Sequence, residues 1–484
     1  MGKNILLINP LSNDPADQYE IYPSGALLLI GTILFNQGHK VKIVHMLADQ
    51  INAVGLRNIV TEFHPQVVGI TMSTFQTKSA REISSVIKEF DPKILTVTGG
   101  PHPSALRATL LKDFPDMDIA VVGEGEKTIV EIVDDKDWPE IKGIAYRKNG
   151  AVNTNEQRPL VDLDDLPLLN LDLITLSRFK GSSPACAYPS MFIMASRGCP
   201  FHCVYCNKSV FGTAVRFRKP ASIIEEIKWL HQQYRVKEIF FQDDTFNLDR
   251  KWCEEILNLI IDNGLNKEIV YKVAFRANQG LVDEKLLDLV KRAGVKVIFY
   301  GVESGNQRML NSMKKGLRIE EIKRAFALTH QAGLKTIGAF MIGLPGENRQ
   351  TVEDTFNLWK ELRPYQSGLS PAIPLPGTEF EATVKRKGHL LVTNYDDYWP
   401  EKFLARTDEL SKSELERLYR KTLFRMGMME ISRHPVKILI SLRKRVVGYF
   451  KREKALFAKA SGLFRSLFKS SNKSGPKPEA ILKH

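Results

Sequence analysis

Arg197-Gly198-Cys199-Pro200-Phe201-His202-Cys203-Val204-Tyr205-Cys206-Asn207 is the stretch on which the reading of this 484-residue chain turns. Three of the five cysteines fall within eight residues, at i, i+4 and i+7. That spacing lets one tight loop set three thiolates around one metal centre. A cubane iron–sulfur cluster usually takes four cysteines. Three leave one iron open to bind a substrate or cofactor. The competing reading is a structural zinc ion with His202 as fourth ligand. Structural zinc closes with four ligands, commonly in spaced pairs, and His202 directly beside Cys203 makes joint tetrahedral ligation awkward.

Working outward, the loop follows an apolar run at 192–195 that reads as a strand. Further strands are expected at 238–242, 270–275, 296–301, 335–342 and 367–373. Helical spacing covers 221–234, 250–262, 284–293, 319–332 and 351–362 between them. Six β/α units without a seventh and eighth predict a partial barrel, with its site at the C-terminal ends of the strands. Upstream, residues 1–140 show short buried strands at 5–8, 42–44, 67–70, 94–98 and 119–122. Helical patterns lie between them at 25–36, 51–63, 78–89 and 103–112. This is the pattern of a doubly wound parallel α/β domain, whose ligands sit at the carboxyl ends of the strands. Those ends carry Ser73-Thr74, Gly99-Gly100-Pro101-His102 and Gly123-Glu124-Gly125-Glu126. Residues 141–189 read as a linker, with a hairpin at 142–147 turning on Asn149-Gly150 and then an Asp/Leu/Pro-rich run. The barrel core is expected over 190–400 and a basic helical region over 401–484.

Hydrophobic content of 43% and charged content of 26% are those of a globular protein. Five cysteines, an odd number, give no disulfide framework. Cys253 lies in a helical apolar pattern and is expected to be buried, and Cys186 receives no role. The net charge of +14 is concentrated: residues 431–484 hold fourteen Lys/Arg against two acids, leaving only +2 for residues 1–430. A nearly neutral body argues against a nucleic-acid binder. The start of the chain reads as a first buried strand, and the apolar stretch at 25–35 is too short to span a bilayer. A cytoplasmic protein is expected. Phe450, Phe457, Phe464 and Phe468 recur between Lys/Arg clusters in the tail, a pattern of membrane-surface helices. Peripheral attachment to an anionic membrane, and with it a lipid-like substrate, is the matching expectation.

CxxxCxxC after a barrel strand resembles the radical S-adenosylmethionine (SAM) superfamily, and the resemblance extends over 190–380. It implies a [4Fe–4S] cluster on Cys199, Cys203 and Cys206 whose open iron chelates SAM. An electron from the cluster then cleaves SAM to a 5′-deoxyadenosyl radical, and a flavodoxin or ferredoxin supplies the electron. Tyr205 stands where the superfamily carries an aromatic near the adenine. Asp243 and Asp244 end the second strand, where the SAM amino group is held. Arg276, Glu303 and Gly343 end the third, fourth and fifth, with Arg276 and Glu303 facing the SAM carboxylate and ribose. Read singly, Asp243-Asp244 fits a helix cap, Glu303 a surface acid and the glycines plain turns.

Residues 1–175 resemble the cobalamin-binding domain that precedes such barrels. By this resemblance Ser73, Thr74, Gly99, Gly100, Pro101, His102, Gly123 and Glu124 are the candidate cobalamin contacts. The sequence lacks Asp-x-His-x-x-Gly, so no histidine ligates cobalt from below. The first 185 residues have no cysteine, which excludes the second cluster of tRNA methylthiotransferases. The implied function is a cobalamin-dependent radical SAM methyltransferase acting on an unactivated carbon. A cyclase or ring-rearranging enzyme with the same cofactors is the alternative, and a metal-stapled nucleic-acid-binding protein a more distant one.

Overall fold

The structure is a computed structural model that describes residues 2–14, 22–181, 184 and 186–433. The chain divides into two units, 1–419 and 420–484. The first holds both sheets. Of the second, residues 420–433 are described, as the end of helix Lys412–Arg433.

Strands β1 (Asn4–Asn9), β2 (Lys40–His45), β3 (Val67–Thr71), β4 (Leu95–Gly99) and β5 (Ile119–Val121) are parallel. They are apolar on both faces because helices cover both. Leu6, Ile8, Val68 and Ile70 are buried against Leu56, Val60, Ile83 and Ile87 from helices Ala53–Phe63 and Thr77–Phe90. The order β2-β1-β3-β4-β5 reverses between β1 and β3, and the crevice at such a reversal is the binding place of doubly wound folds.

Three features differ from the sequence expectation. The sheet runs past residue 140, because hairpin β6 (Ile144–Lys148) and β7 (Ala151–Thr154) adds antiparallel to β5. β5 is only three residues long, and the hairpin pairs its open edge. Residues 103–112 form two helices, Pro101–Leu106 and Ala108–Asp113, broken at Arg107 with φ +53°. The break turns Leu110 and Leu111 into the core beside β5 and β6. Helix Glu126–Val133 is not among the expected elements, and its β-branched residues Ile129, Val130, Ile132 and Val133 weaken the local helical signal.

The second sheet contains β8 (Ser190–Ile193), β11 (Glu238–Phe241), β12 (Val270–Phe275), β13 (Val295–Glu303), β14 (Lys335–Ile342) and β15 (Gln366–Pro371). All pair in parallel, in chain order. β8 and β15 do not pair, so the barrel is open along one side. The short strands β9 (Ser196–Arg197) and β10 (Arg216–Phe217) pair antiparallel and pinch off the cysteine loop. Helices Pro220–Tyr234, Arg250–Asp262, Glu284–Arg292, Ile319–Gln331 and Arg349–Leu362 lie where the sequence places them. Cys253 is fully buried.

At the N-terminal end of the barrel Lys272 and Glu238 form a fully buried ion pair at 2.8 Å. Glu238 also accepts from the Ser190 hydroxyl at 2.7 Å and from the backbone N–H groups of Cys186 at 2.5 Å and Ala187 at 3.1 Å. The pair therefore ties the end of the linker beneath the barrel.

Among the described residues no helix is long and apolar enough to cross a membrane. The tail residues Phe450, Phe457, Phe464 and Phe468, on which the membrane expectation rests, lie outside the described residues.

Removing one member of a buried ion pair strands the other charge. Lys272→Met is expected to destabilise the fold by about 3–5 kcal/mol, read from the denaturant midpoint by circular dichroism. A loss below about 1 kcal/mol, the range of a surface pair, would show that Glu238 is satisfied without the lysine.

Candidate active site between the two sheets

The cysteine loop has no regular structure from Gly198 to Ala214 and is held by bonds to its surroundings. Val204 N–H donates to Met313 O at 3.1 Å, and Phe380 N–H donates to Val204 O at 2.9 Å. Lys208 Nζ donates to Cys199 O at 2.9 Å and the Asn207 amide to Pro376 O at 3.0 Å. Cys199 and Cys203 are partly buried and Cys206 is the most accessible. Although the Cys206 thiol reaches solvent, the protein around it, then Cys203, Asp244 and Cys199, push it up to about 11. The three thiols of this loop are the donors that an iron–sulfur cluster takes. Among the described residues no three His, Cys, Asp or Glu side chains are close enough to share one metal ion.

The strand-end residues gather around this loop with distinct duties. Tyr205 is linked by its hydroxyl to Lys315 Nζ at 3.1 Å, and Lys315 pairs with Glu303 at 2.8 Å. Burial, then Glu303 and Cys203, raise the Tyr205 phenol, so it stays protonated. Glu303 sits at a bulge in β13 with φ +68°, a strained geometry for a side-chain-bearing residue. The Arg276 guanidinium lies 3.4 Å from the Phe201 ring centroid. Its Nε donates to Asn278 at 2.7 Å, and one terminal nitrogen is buried with no partner among the described residues. Such a nitrogen suits a carboxylate ligand.

The two aspartates divide. Asp243 is buried and accepts from the Ser196 hydroxyl at 2.5 Å, and burial lifts it to about 7. It pins the entry to the cysteine loop. Asp244, raised by burial and opposed by Lys208, is close enough to Cys206 to raise that thiol. Neither caps the next helix, because Asp249 does so. Gly343 has φ +106°, and a Cβ there would stand 2.9 Å from the Phe403 ring. Its N–H donates to Glu347 at 3.2 Å, and burial lifts Glu347 to about 7.

A cavity opens between the strand ends of the first sheet and the first strand of the barrel. Its walls come from β1, β3, β4, β5, helices Gly25–Asn36 and Glu126–Val133, the linker at 163–169, and β8 with the cysteine-loop segment. One half is aliphatic, with Leu7, Ile30, Val97, Ile129, Leu163 and Leu166. Gly25, Gly69, Gly99, Gly100, Gly123 and Gly125 give part of the wall no side chains. A Cβ on Gly100, at φ +117°, would stand 2.9 Å from Met72 O. The polar half is ion-paired: Arg197 pairs with Glu124 and Glu126, Arg218 with Glu226, and Arg216, outside the wall, with Glu124. Among the described residues no histidine lines the cavity. A largely apolar wall whose charged side chains are all ion-paired fits a flat, amide-rich macrocycle with a heterocyclic tail, which is what cobalamin presents.

Of the candidate cobalamin contacts, Gly99, Gly100, Gly123 and Glu124 line this cavity. Ser73, Thr74, Pro101 and His102 do not. Ser73 caps the short helix Thr74–Gln76. The Thr74 hydroxyl lies 3.1 Å from His102 Nδ1, and the fully buried His102 ring meets the Tyr395 ring edge-on at 4.8 Å. Burial lowers His102 to about 4, so the ring is neutral. The Pro101 carbonyl accepts from the Ser209 hydroxyl of the cysteine loop at 3.1 Å. Pro101 thus joins the domain to the cysteine loop and His102 joins it to the segment after the barrel, with Thr74 bonded to the His102 ring. Sequence reasoning missed Lys315, Arg216 and the linker leucines. Only Arg197, next to Gly198 and Cys199, carried a signal of position.

Comparison with known proteins agrees with this geometry. Residues 193–358 match the family model of the radical SAM superfamily and residues 17–133 that of the B12 binding domain. An uncharacterized methyltransferase of Pyrococcus horikoshii is 31% identical over 394 residues, 80% of this chain and 84% of its own. An anaerobic magnesium-protoporphyrin IX monomethyl ester cyclase of Rubrivivax gelatinosus is 28% identical over 367 residues, 73% of this chain and 64% of its own. The fold is similar to that of the radical SAM methyltransferase TsrM from Kitasatospora setae, solved with cobalamin and a [4Fe–4S] cluster bound. That match has a TM-score of 0.64 at 19% identity and covers 80% of this chain and 75% of the other.

Gly198 has φ +90°, and a Cβ there would stand 2.3 Å from Ala214 O. A side chain in left-handed backbone costs about 1–3 kcal/mol before any clash. Gly198→Ala is therefore expected to lower the iron and sulfide retained per chain after anaerobic reconstitution. Wild-type iron content in this variant would show that the loop can be reshaped freely.

Proposed function

The chain belongs to the radical SAM superfamily, among the members that carry a B12-binding domain ahead of the barrel, and on that premise we propose that it transfers a methyl group from SAM to an unactivated carbon of a small or lipid-like substrate. Its cofactors are a [4Fe–4S] cluster, SAM and cobalamin. When bound, the cluster supplies an electron for cleaving SAM, and cobalamin supplies a cobalt centre that accepts and donates a methyl group. The observation that carries the proposal is the placing of the cavity: Arg197, two residues before Cys199, is part of its wall. The methyl-carrying and radical-forming groups would then face one substrate space.

The chain's own residues bind, orient and exclude water. Cys199, Cys203 and Cys206 hold the cluster and leave one position open for SAM. Arg276 offers its free nitrogen to the SAM carboxylate, and Asp244 takes the amino group. The Tyr205–Lys315–Glu303 chain orients the nucleoside end, with Gly343 keeping the fifth strand end clear. Gly99, Gly100 and Gly123 let cobalamin approach the backbone. A flavodoxin- or ferredoxin-type protein supplies the electron.

A second reading is favoured by the similarity to the Rubrivivax gelatinosus cyclase: ring formation with the same cofactors and no methyl transfer. The two share hydrogen abstraction and part afterwards. SAM labelled in its methyl group, given to the reduced, loaded enzyme with tetrapyrrole and isoprenoid candidates, separates them. Label is expected in the product. A product with a new ring and no label would favour the cyclase. Cys199→Ala, Cys203→Ala and Cys206→Ala are each expected to abolish 5′-deoxyadenosine formation. Deoxyadenosine formed by a purified single variant would overturn the cluster assignment.

A further inference from the structure

The cysteine loop is closed at its base by β9 and β10, and this two-residue ladder sets Arg197 directly opposite Arg216. Like charges facing each other across an antiparallel pair oppose pairing. The neutralising acid comes from the other domain. Glu124, in the turn after β5, pairs with Arg197 at 2.8 Å and with Arg216 at 2.7 Å. Its second oxygen accepts from Arg216 at 3.0 Å and from Val161 N–H at 2.9 Å. Arg216 also donates to Val161 O at 2.6 Å. Glu126 takes the other side of Arg197 at 2.8 Å. The side chain of Glu124 is 3% exposed and that of Arg197 7%, so water cannot replace these partners. Burial pushes the Glu124 carboxyl up, yet the bonds from Arg216, Val161 and Arg197 hold it below the usual glutamate range.

We propose that Glu124 is a positioning residue for the three cysteines: as counter-ion shared by two opposed arginines, it holds shut the hairpin that shapes the cysteine loop. The neighbouring Gly123 and Gly125 belong to the cavity wall, as does Glu124 itself. A ligand resting on this turn therefore sets the cysteine loop, and by reciprocity the assembled cluster favours that ligand.

The proposal rests on the cysteines being cluster ligands and is tested on the full chain, reconstituted anaerobically with iron and sulfide. Glu124→Gln leaves the half-buried Arg216 without its counter-ion, opposite an Arg197 paired with Glu126 alone, and is expected to lower iron content and broaden the electron paramagnetic resonance signal of the reduced cluster. Arg216→Gln in that background removes the repulsion and is expected to restore both. Contacting residues couple in stability as well, so the denaturant midpoint is measured alongside: iron content and signal that change in Glu124→Gln while the midpoint does not distinguish positioning from fold stability. Hydroxocobalamin titration of wild-type protein with and without its cluster is expected to show coupling on the order of tenfold in affinity, absent in Glu124→Gln. The proposal is overturned if Glu124→Gln keeps wild-type iron content and signal, if the double variant is worse than either single one, or if the coupling is the same in Glu124→Gln. Wild-type protein without iron would instead overturn the cysteine assignment beneath it.

Discussion

A guanidinium taken out of water must keep its counter-charges, and this constraint at Arg197 fixes how the two sheets meet. Arg197 lies two residues before the first cysteine, and both its acids, Glu124 and Glu126, come from the strand-end turn of the first domain. An unpaired charge there would cost several kcal/mol. The carboxyl edge of one sheet is thereby held against that of the other. Each fold concentrates its ligand contacts at that edge, so joining the edges merges two binding places into one.

The barrel separates its functions along its axis. At the N-terminal end the Lys272–Glu238 pair and the linker backbone close the floor, where nothing need move or react. At the other end polar groups are left with spare capacity, such as the free nitrogen of Arg276 and one oxygen of Asp243. Fully paired groups stabilise, whereas incompletely paired ones are ready for a ligand. Asp243 and Asp244 repeat the division within two residues, one turned back to hold Ser196 and the other set beside Cys206.

The cavity follows the same economy of charge. Its arginines and glutamates are all ion-paired, with Arg216 behind the wall completing the balance, and its glycines bring bare backbone to the surface. Such a wall needs no ionic ligand and rewards shape and apolar area. The linker leucines, Leu163 and Leu166, complete it, so the segment joining the domains is also part of the cavity wall.

Much of the fold was legible in the sequence because periodicity is local. Buried parallel strands and amphipathic helices have repeats visible within a few residues, and helix Gly25–Asn36 and strand Val270–Phe275 lie where those repeats put them. The cysteine spacing announced its chemistry for the same reason, since one short loop carries all three ligands. Pairing across long separations left no such trace. Nothing near Thr74 or His102 in the chain tells that they meet each other and Tyr395 rather than the cavity. Nothing near residue 315 marks Lys315 as the link between Tyr205 and Glu303. The sequence by itself determined the two α/β domains, the cysteine loop and the families they resemble, because each is written in contiguous residues. Only the tertiary structure decided which strand-end residues face the cavity and that Glu124 serves Arg197 and Arg216. A buried charge takes its partner from whatever the fold brings near, and that is a matter of three-dimensional distance.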